Sequence, residues 1–172
     1  MIEKTLRALR LLSMTAWVGG LIFFAFVVAP IAFGRLSSAH EAGLVVGGCL
    51  NVLHWIGLIG GLLFCLATAT LWFRAEVPAR VGFALEIILA SLMLAVTAYS
   101  QFRILPAMER DRIEAGGAIE TADTSSPARM DFERLHVWSE RLEGFVLLCG
   151  IGVILVLARE SQWPETGKIK QI

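Results

Sequence analysis

The sequence predicts an all-α integral membrane protein, four spans folded as an antiparallel up-down-up-down bundle. Three observations carry this. Hydrophobic residues make up 56% of the 172, and mean hydropathy is +0.70. Four long stretches are almost free of charge. Leu11 to Gly34 has none, Ala42 to Phe73 only a neutral His54, Val81 to Phe102 only Glu86, and Gly144 to Ala158 none. A helix needs about 20 predominantly apolar residues to cross a hydrocarbon core roughly 30 Å thick. With their flanks, all four stretches reach that length.

The elements follow in order. The first span covers about 6–33, with Pro30 near its end. Its start resembles a signal-peptide head. The apolar run is about 24 residues, longer than such a peptide's core, so it reads as a retained span. The second covers about 42–73. The turn from Arg74 to Arg80 is too short for anything but an antiparallel neighbour. The third covers about 80–103, and its charged tail, Pro106 to Ala115, belongs outside lipid. The stretch 116–126 is rich in Gly, Ser, Thr and acid and reads as a mobile loop. Ser126 and Pro127 suit the cap and first turn of the last helix. That span covers about 131–158, and a polar, frayed tail follows Arg159. The whole, 1–172, is one domain.

Composition removes some functions. With 15 basic and 15 acidic residues there is no basic field to attract nucleic acid. No nucleophile–base constellation, phosphate loop or dinucleotide fingerprint is present, which points away from an enzyme. Cys49, Cys65 and Cys149 form no paired motif and read as small hydrophobes inside spans.

Lys and Arg set orientation. Lys4, Arg7, Arg10, Arg74, Arg80, Arg159, Lys168 and Lys170 fall at one end, eight in all. Arg35, Arg103, Arg110, Arg112, Arg129, Arg134 and Arg141 fall at the other, seven in all. Three of the eight flank the start of the first span, against Arg35 alone at its finish. Both termini are therefore expected in the cytoplasm. Trp17, Trp55, Trp72, Trp138 and Trp163 fit an aromatic belt.

Helix association in lipid relies on small residues and interhelical hydrogen bonds. Each span carries such a stripe: Ser13, Trp17 and Gly20 on the first; Gly47, His54, Gly61, Cys65 and Thr68 on the second, with Asn51 at the edge; Glu86, Ala90, Met93, Thr97 and Ser100 on the third. The fourth carries Glu133, His136, Glu140, Glu143, Leu147, Gly150 and Ile154. Inward-turned stripes make a bundle.

Depth follows from the rise per residue. Glu143 lies about 24 Å from the inner boundary, Glu140 about 28 Å, and His136 just beyond. His54 lies about 30 Å away, with Asn51 further out. An outer polar mouth is thus expected from Asn51, His54, Gln101, Arg103, His136, Ser139, Glu140 and Glu143. Glu86 sits about 9 Å from the inner boundary and is an isolated intramembrane acid. Ionisable groups within spans face a cavity or a partner. The residues leave three readings open: a proton or cation site, a metal site from His54, His136, Glu140 and Glu143, and an axial haem pair of histidines. The plain alternative is that these groups bond helix to helix. Glu133-x-x-His136 is half of a di-iron motif without its other half.

Three motifs carry a family resemblance. Trp17-Val-Gly-Gly20 with Phe23-Phe24 and Val28-Ala29-Pro30 resembles the first helix of the transmembrane-protein-205-like family. Gln101-Phe-Arg103-Ile-Leu-Pro106 is similar to its Asn-x-Arg-x-Leu-x-Pro stretch. Phe132-x-x-x-His136-x-x-Ser139 is similar to the start of its last helix, although Glu143 stands where members commonly place Asn. The bacterial members are grouped as a domain of unknown function, and the eukaryotic namesake is associated with resistance to platinum drugs. The fold also resembles copper-resistance D-type membrane proteins. The resemblance implies a four-span integral protein of a bacterial inner membrane without an established reaction. The expected function is therefore handling of a small solute or metal ion at the outer mouth. The alternatives are a haem- or metal-binding redox protein and a structural subunit of a membrane complex. Beyond the bilayer, a homodimer or a membrane partner is the candidate partner.

Overall fold

Among the described residues six α-helices, joined end to end in places, build four rods. The computed structural model describes residues 1–160, apart from the side chains of 77–79 and 160. The expectations for Trp163, Lys168, Lys170 and the tail lie outside the described residues. The first rod is α1 (Ile2–Phe23), a π-helical turn (Phe24–Val28) and α2 (Ala29–Arg35). The second is α3 (Ala39–Arg74). The third is α4 (Val77–Tyr99), a second π turn (Ser100–Ile104) and α5 (Leu105–Glu114). The fourth is α6 (Pro127–Glu160). The described residues contain no strand.

Local chemistry explains the joints. Ser38 caps α3 by accepting from the Glu41 N–H at 3.1 Å, which satisfies one of the orphan donors of a helix start. Both π turns stand just ahead of a proline, Pro30 and Pro106. Proline lacks an N–H and crowds the carbonyl four residues back. One extra residue in the preceding turn moves that carbonyl away. The N–H groups of Ala29 and Leu105 accordingly bond the carbonyls of Phe24 and Ser100, five residues back. The helices continue instead of breaking, so the third span runs on through the charged tail to Glu114.

The loop expected to be mobile is laced by hydrogen bonds. Gly116 and Gly117 take positive φ, 86° and 102°, which side chains resist. The Gly117 N–H reaches back to the Arg112 carbonyl at 2.9 Å. Arg129 donates to the Ala122 carbonyl at 2.8 Å. Asp123 accepts from the backbone and hydroxyl of Ser125, and these bonds hold its carboxyl below the usual carboxylate range.

Each rod packs on the next, and α6 closes on α4. Met14, Trp17, Val18, Phe64, Ala90, Met93, Val146 and Val153 form the centre. Trp17 follows its inward stripe and not the belt. It is 1% exposed, inside the bundle and not in an interfacial belt. Gly57 and Gly61 explain why. They lie four residues apart on one face of α3, and a methyl group at either would overlap the indole. Trp55 and Trp138 are exposed. The third-rod stripe of Glu86, Ala90, Met93, Thr97 and Ser100 is wholly buried.

The outer surface settles the environment. Leu12, Phe26, Leu66, Ile88 and Leu148 all point outward. Four helices are long and apolar enough to cross a membrane. In water so much exposed apolar surface would drive association. The chain is an integral membrane protein.

Candidate functional site

Two buried polar pairs lie at opposite ends of the bundle. One end, the terminal end, carries the start of α1, the α3–α4 turn and the finish of α6. The other, the loop end, carries the α2–α3 and α5–α6 connections.

At the terminal end Arg10 pairs with Glu86. They are 1% and 0% exposed. The guanidinium also stands over the rings of Phe64, at 5.5 Å, and Phe83, at 5.0 Å, an arrangement that stabilises a cation. Sequence reasoning placed Arg10 among the flanking charges and left Glu86 without an arginine. The signal was available. Arg10, Ser13, Met14 and Trp17 fall at i, i+3, i+4 and i+7, one helical face, so Arg10 had to turn inward with Trp17.

At the loop end four side chains form a chain of hydrogen bonds. Gln101 Nε2 donates to Asn51 Oδ1 at 2.5 Å. This turns Gln101 Oε1 toward His54 Nδ1, 2.9 Å away. With the two amides turned this way Gln101 Oε1 accepts and Nδ1 carries the hydrogen; turned over together they would make Gln101 the donor and put the hydrogen on Nε2. His54 Nε2 in turn meets Glu143 Oε1 at 2.7 Å. Two lone pairs do not face each other at that distance. In the Nδ1–H tautomer one proton lies between the imidazole and the carboxylate, and the couple is neutral whichever partner holds it. His54 is 1% exposed and Glu143 14%. Glu143 Oε2 is buried without a hydrogen-bond partner among the described residues. The second π turn serves this chain by presenting Gln101 to α3.

Beside the couple lies a cavity of about 870 Å³. Its floor includes Asn51, Gln101, Ser139 and Glu143. Leu21, Phe24, Phe33, Leu44 and Leu147 give it apolar walls. Ion pairs ring the rim: Arg112 with Glu109 and Arg129 with Glu133, each at 2.9 Å. The space exists because the first π turn and α2 lean on α3, away from α6. Small residues, Ala25, Ala29, Gly47 and Gly144, line the gap.

The remaining expected site residues are placed as follows. His136 is 46% exposed and pairs with Glu140 on its own helix at 3.3 Å, so the four suggested metal ligands form two separate pairs. Among the described residues no three His, Cys, Asp or Glu side chains come together to hold a metal ion. Arg103 is exposed and does not line the cavity. It and Gln101 both lie in the second π turn, two residues apart and so about half a turn around it, and turning Gln101 inward turns Arg103 out. Ser139 is buried at the floor.

Fold and site together define a four-helix integral membrane protein with a hydrogen-bonded His54–Glu143 couple beside a cavity at one end. Residues 12–115 match a family described as Domain of unknown function (DUF4149), and the chain belongs to that family. The matched stretch holds Asn51, His54, Glu86 and Gln101; Arg10, Ser139 and Glu143 lie outside it. No curated protein and no solved structure matches the chain.

Proposed function

We propose that this protein takes up a small solute in the loop-end cavity and that the Glu143–His54 couple is its recognition element. One observation carries the proposal. A buried carboxylate borders a drug-sized cavity, ~300–1,000 Å³ being usual, with one oxygen held by His54 and the other unsatisfied. Native proteins rarely leave such an atom without a role. The role is binding, not covalent chemistry. His54 spends both ring nitrogens on Gln101 and Glu143, which disfavours the metal and haem readings. No observation favours a purely structural subunit.

The setting belongs to the same proposal: a bacterial inner membrane, with both termini in the cytoplasm and the cavity facing out. Arg10 is inside the bundle and drops out of the flanking charges, leaving seven on each side. Lys4 and Arg7 against Arg35 still favour this orientation. The closer kinship to transmembrane-protein-205-like and copper-resistance D-type proteins, which the motifs suggest, also stays within the proposal and supplies no residue role.

Dicyclohexylcarbodiimide, an apolar reagent for protonated carboxyls, tests the reading. Peptide mass spectrometry on protein in nanodiscs should find Glu143 modified and the arginine-paired Glu86 spared. Glu143 left untouched, or Glu86 modified equally, would sink it.

A further inference from the structure

We infer that the solute is a lipophilic organic ammonium and that it enters in exchange for the proton held by Glu143 and His54. The inference rests on the cavity being a binding site, and it adds the ligand's chemical class and its coupling to protons.

Three features of the cavity point to one chemistry. The first is its charge. Five carboxylates line it, Glu109, Glu120, Glu133, Glu140 and Glu143, against two guanidiniums, Arg112 and Arg129. Glu109 and Glu133 answer those arginines. The surplus is acidic, which attracts cations and repels anions.

The second is its walls. Apolar side chains from α1, the first π turn and α2 face those of α6 across a gap that no helix fills. This opening lies along the apolar length of the bundle. A purely hydrophilic ion would gain nothing from such walls; an alkyl or aryl body would bury apolar area against them.

The third is the couple. With Gln101 Oε1 turned to His54, Nδ1 donates to it, and Nε2 offers a lone pair once the shared proton leaves. An ammonium N–H group placed there donates to Nε2 and to the carboxylate at once. The balance is simple. One ammonium enters and one proton goes to the water of the cavity. The couple loses one positive charge with its proton and the ammonium brings one, so the site with its occupant stays neutral and no net charge is added to a low-dielectric site. Glu143 Oε2, unsatisfied among the described residues, accepts a second ammonium hydrogen.

The charged groups around the couple come from several elements. His54 faces it from α3, with His40 nearer the rim. Glu109 and Arg112 come from α5, and Glu120 from the connection. Arg129, Glu133, His136 and Glu140 share α6 with Glu143. The α1 side offers no charged group to the cavity. All but His54 sit at the rim, so the proton displaced is the one on the couple.

The test uses full-length protein in nanodiscs and three probes with one tail: octylammonium, octyltrimethylammonium and octanol. Three readouts are taken between pH 6 and 8: protection of Glu143 from dicyclohexylcarbodiimide, proton release into weak buffer, and the ¹⁵N signals of His54. Octylammonium should protect Glu143, release one proton per molecule bound and bind about tenfold more tightly per pH unit, as linkage requires for one exchanged proton. Octyltrimethylammonium, with charge but no N–H, should bind more weakly, and octanol should not protect. Glu143→Gln keeps a hydrogen bond to His54 and should abolish proton release. The wild-type readouts stand alone if that variant misfolds. Protection by octanol but not octylammonium would overturn the cation and keep the binding cavity. Octylammonium binding without proton release would overturn the exchange. Modification of Glu143 that no probe prevents would also overturn the inference. A Glu143 that never reacts would overturn both the inference and the function beneath it.

Discussion

The indole of Trp17 against Gly57 and Gly61 gives the sharpest test of the fold. An added Cβ at Gly57 would overlap three indole atoms, Nε1, Cε2 and Cδ1; at Gly61 it would overlap Cζ3. The indole is rigid and 1% exposed, so it has no room to yield. Overpacking of this kind costs about 1–3 kcal/mol. Removing a buried Trp side chain down to Ala costs about 3–5 kcal/mol; Trp17→Leu keeps part of the volume, so about 2–3 kcal/mol is expected. If the two losses were independent, the double variant Trp17→Leu with Gly57→Ala would lose about 3–6 kcal/mol. But the smaller side chain introduced by Trp17→Leu leaves space for the new methyl, so the double variant should lose little more than Trp17→Leu alone. The expected coupling is about 1–2 kcal/mol, well above the ~0.3–0.5 kcal/mol scatter of additive pairs. Gly→Ala also gains helix propensity, up to about 1 kcal/mol in water. Gly19→Ala calibrates that gain, because a methyl there meets nothing within 4 Å. The assay is reversible unfolding in mixed micelles with increasing dodecyl sulfate fraction, read by tryptophan-independent circular dichroism. Additive losses, or a Gly57→Ala variant as stable as Gly19→Ala, would refute the packing argument.

Two further predictions concern the ends of the bundle. Arg10→Met leaves Glu86 buried without its cation, and Glu86→Leu does the reverse; each should cost ~3–5 kcal/mol, and the double variant clearly less than the sum, by the same unfolding assay. Gly117→Ala forces a side chain to φ +102, which costs roughly 1–2 kcal/mol. Hydrogen exchange should report it as faster exchange confined to 115–126, and unchanged exchange there would count against the turn.

Much of this was legible in the sequence, for a physical reason. A span must be apolar for about 20 residues, so length and charge alone mark it. The burial of Glu86, Met93 and Thr97 could be read from spacing because helical period fixes which residues share a face. His54 and Glu143 could be set at one depth because the rise per residue is constant. What escaped was whatever depends on departures from a regular helix or on which rod meets which. Arg103 was misplaced because Gln101, about half a turn away in the same π turn, takes the inward face, and the partners of Gln101, Asn51 and His54, lie on another rod. The stripe on its own helix turns Trp17 inward, but its socket is two glycines on another rod, which spacing along one helix does not show. Arg10 was read as a flanking charge because its partner lies 76 positions away. The four suggested metal ligands stand as two pairs because shared depth does not imply shared direction: His136 turns to Glu140 and the rim.

The asymmetry of the bundle limits what a solute at Glu143 can do next. Toward the terminal end it meets a layer filled by Trp17, Met93 and Val146, and then the Arg10–Glu86 pair under its two aromatic rings. Passing through means parting that pair in place. If parting it costs as much as deleting one partner, ~3–5 kcal/mol, the open form is at most about 1% of the population, since 1.4 kcal/mol is a factor of ten. A solute held at one end therefore exchanges with that side far more often than it crosses. Crossing becomes appreciable only if binding at Glu143 itself favours the parted state, by a free energy comparable to the cost of parting. Arg10→Met separates the cases. In a bundle that only binds, the variant loses stability and leaves octylammonium affinity and proton release unchanged. In a bundle whose two ends are linked, weakening the closed end must change affinity at the other, because coupling between sites is reciprocal.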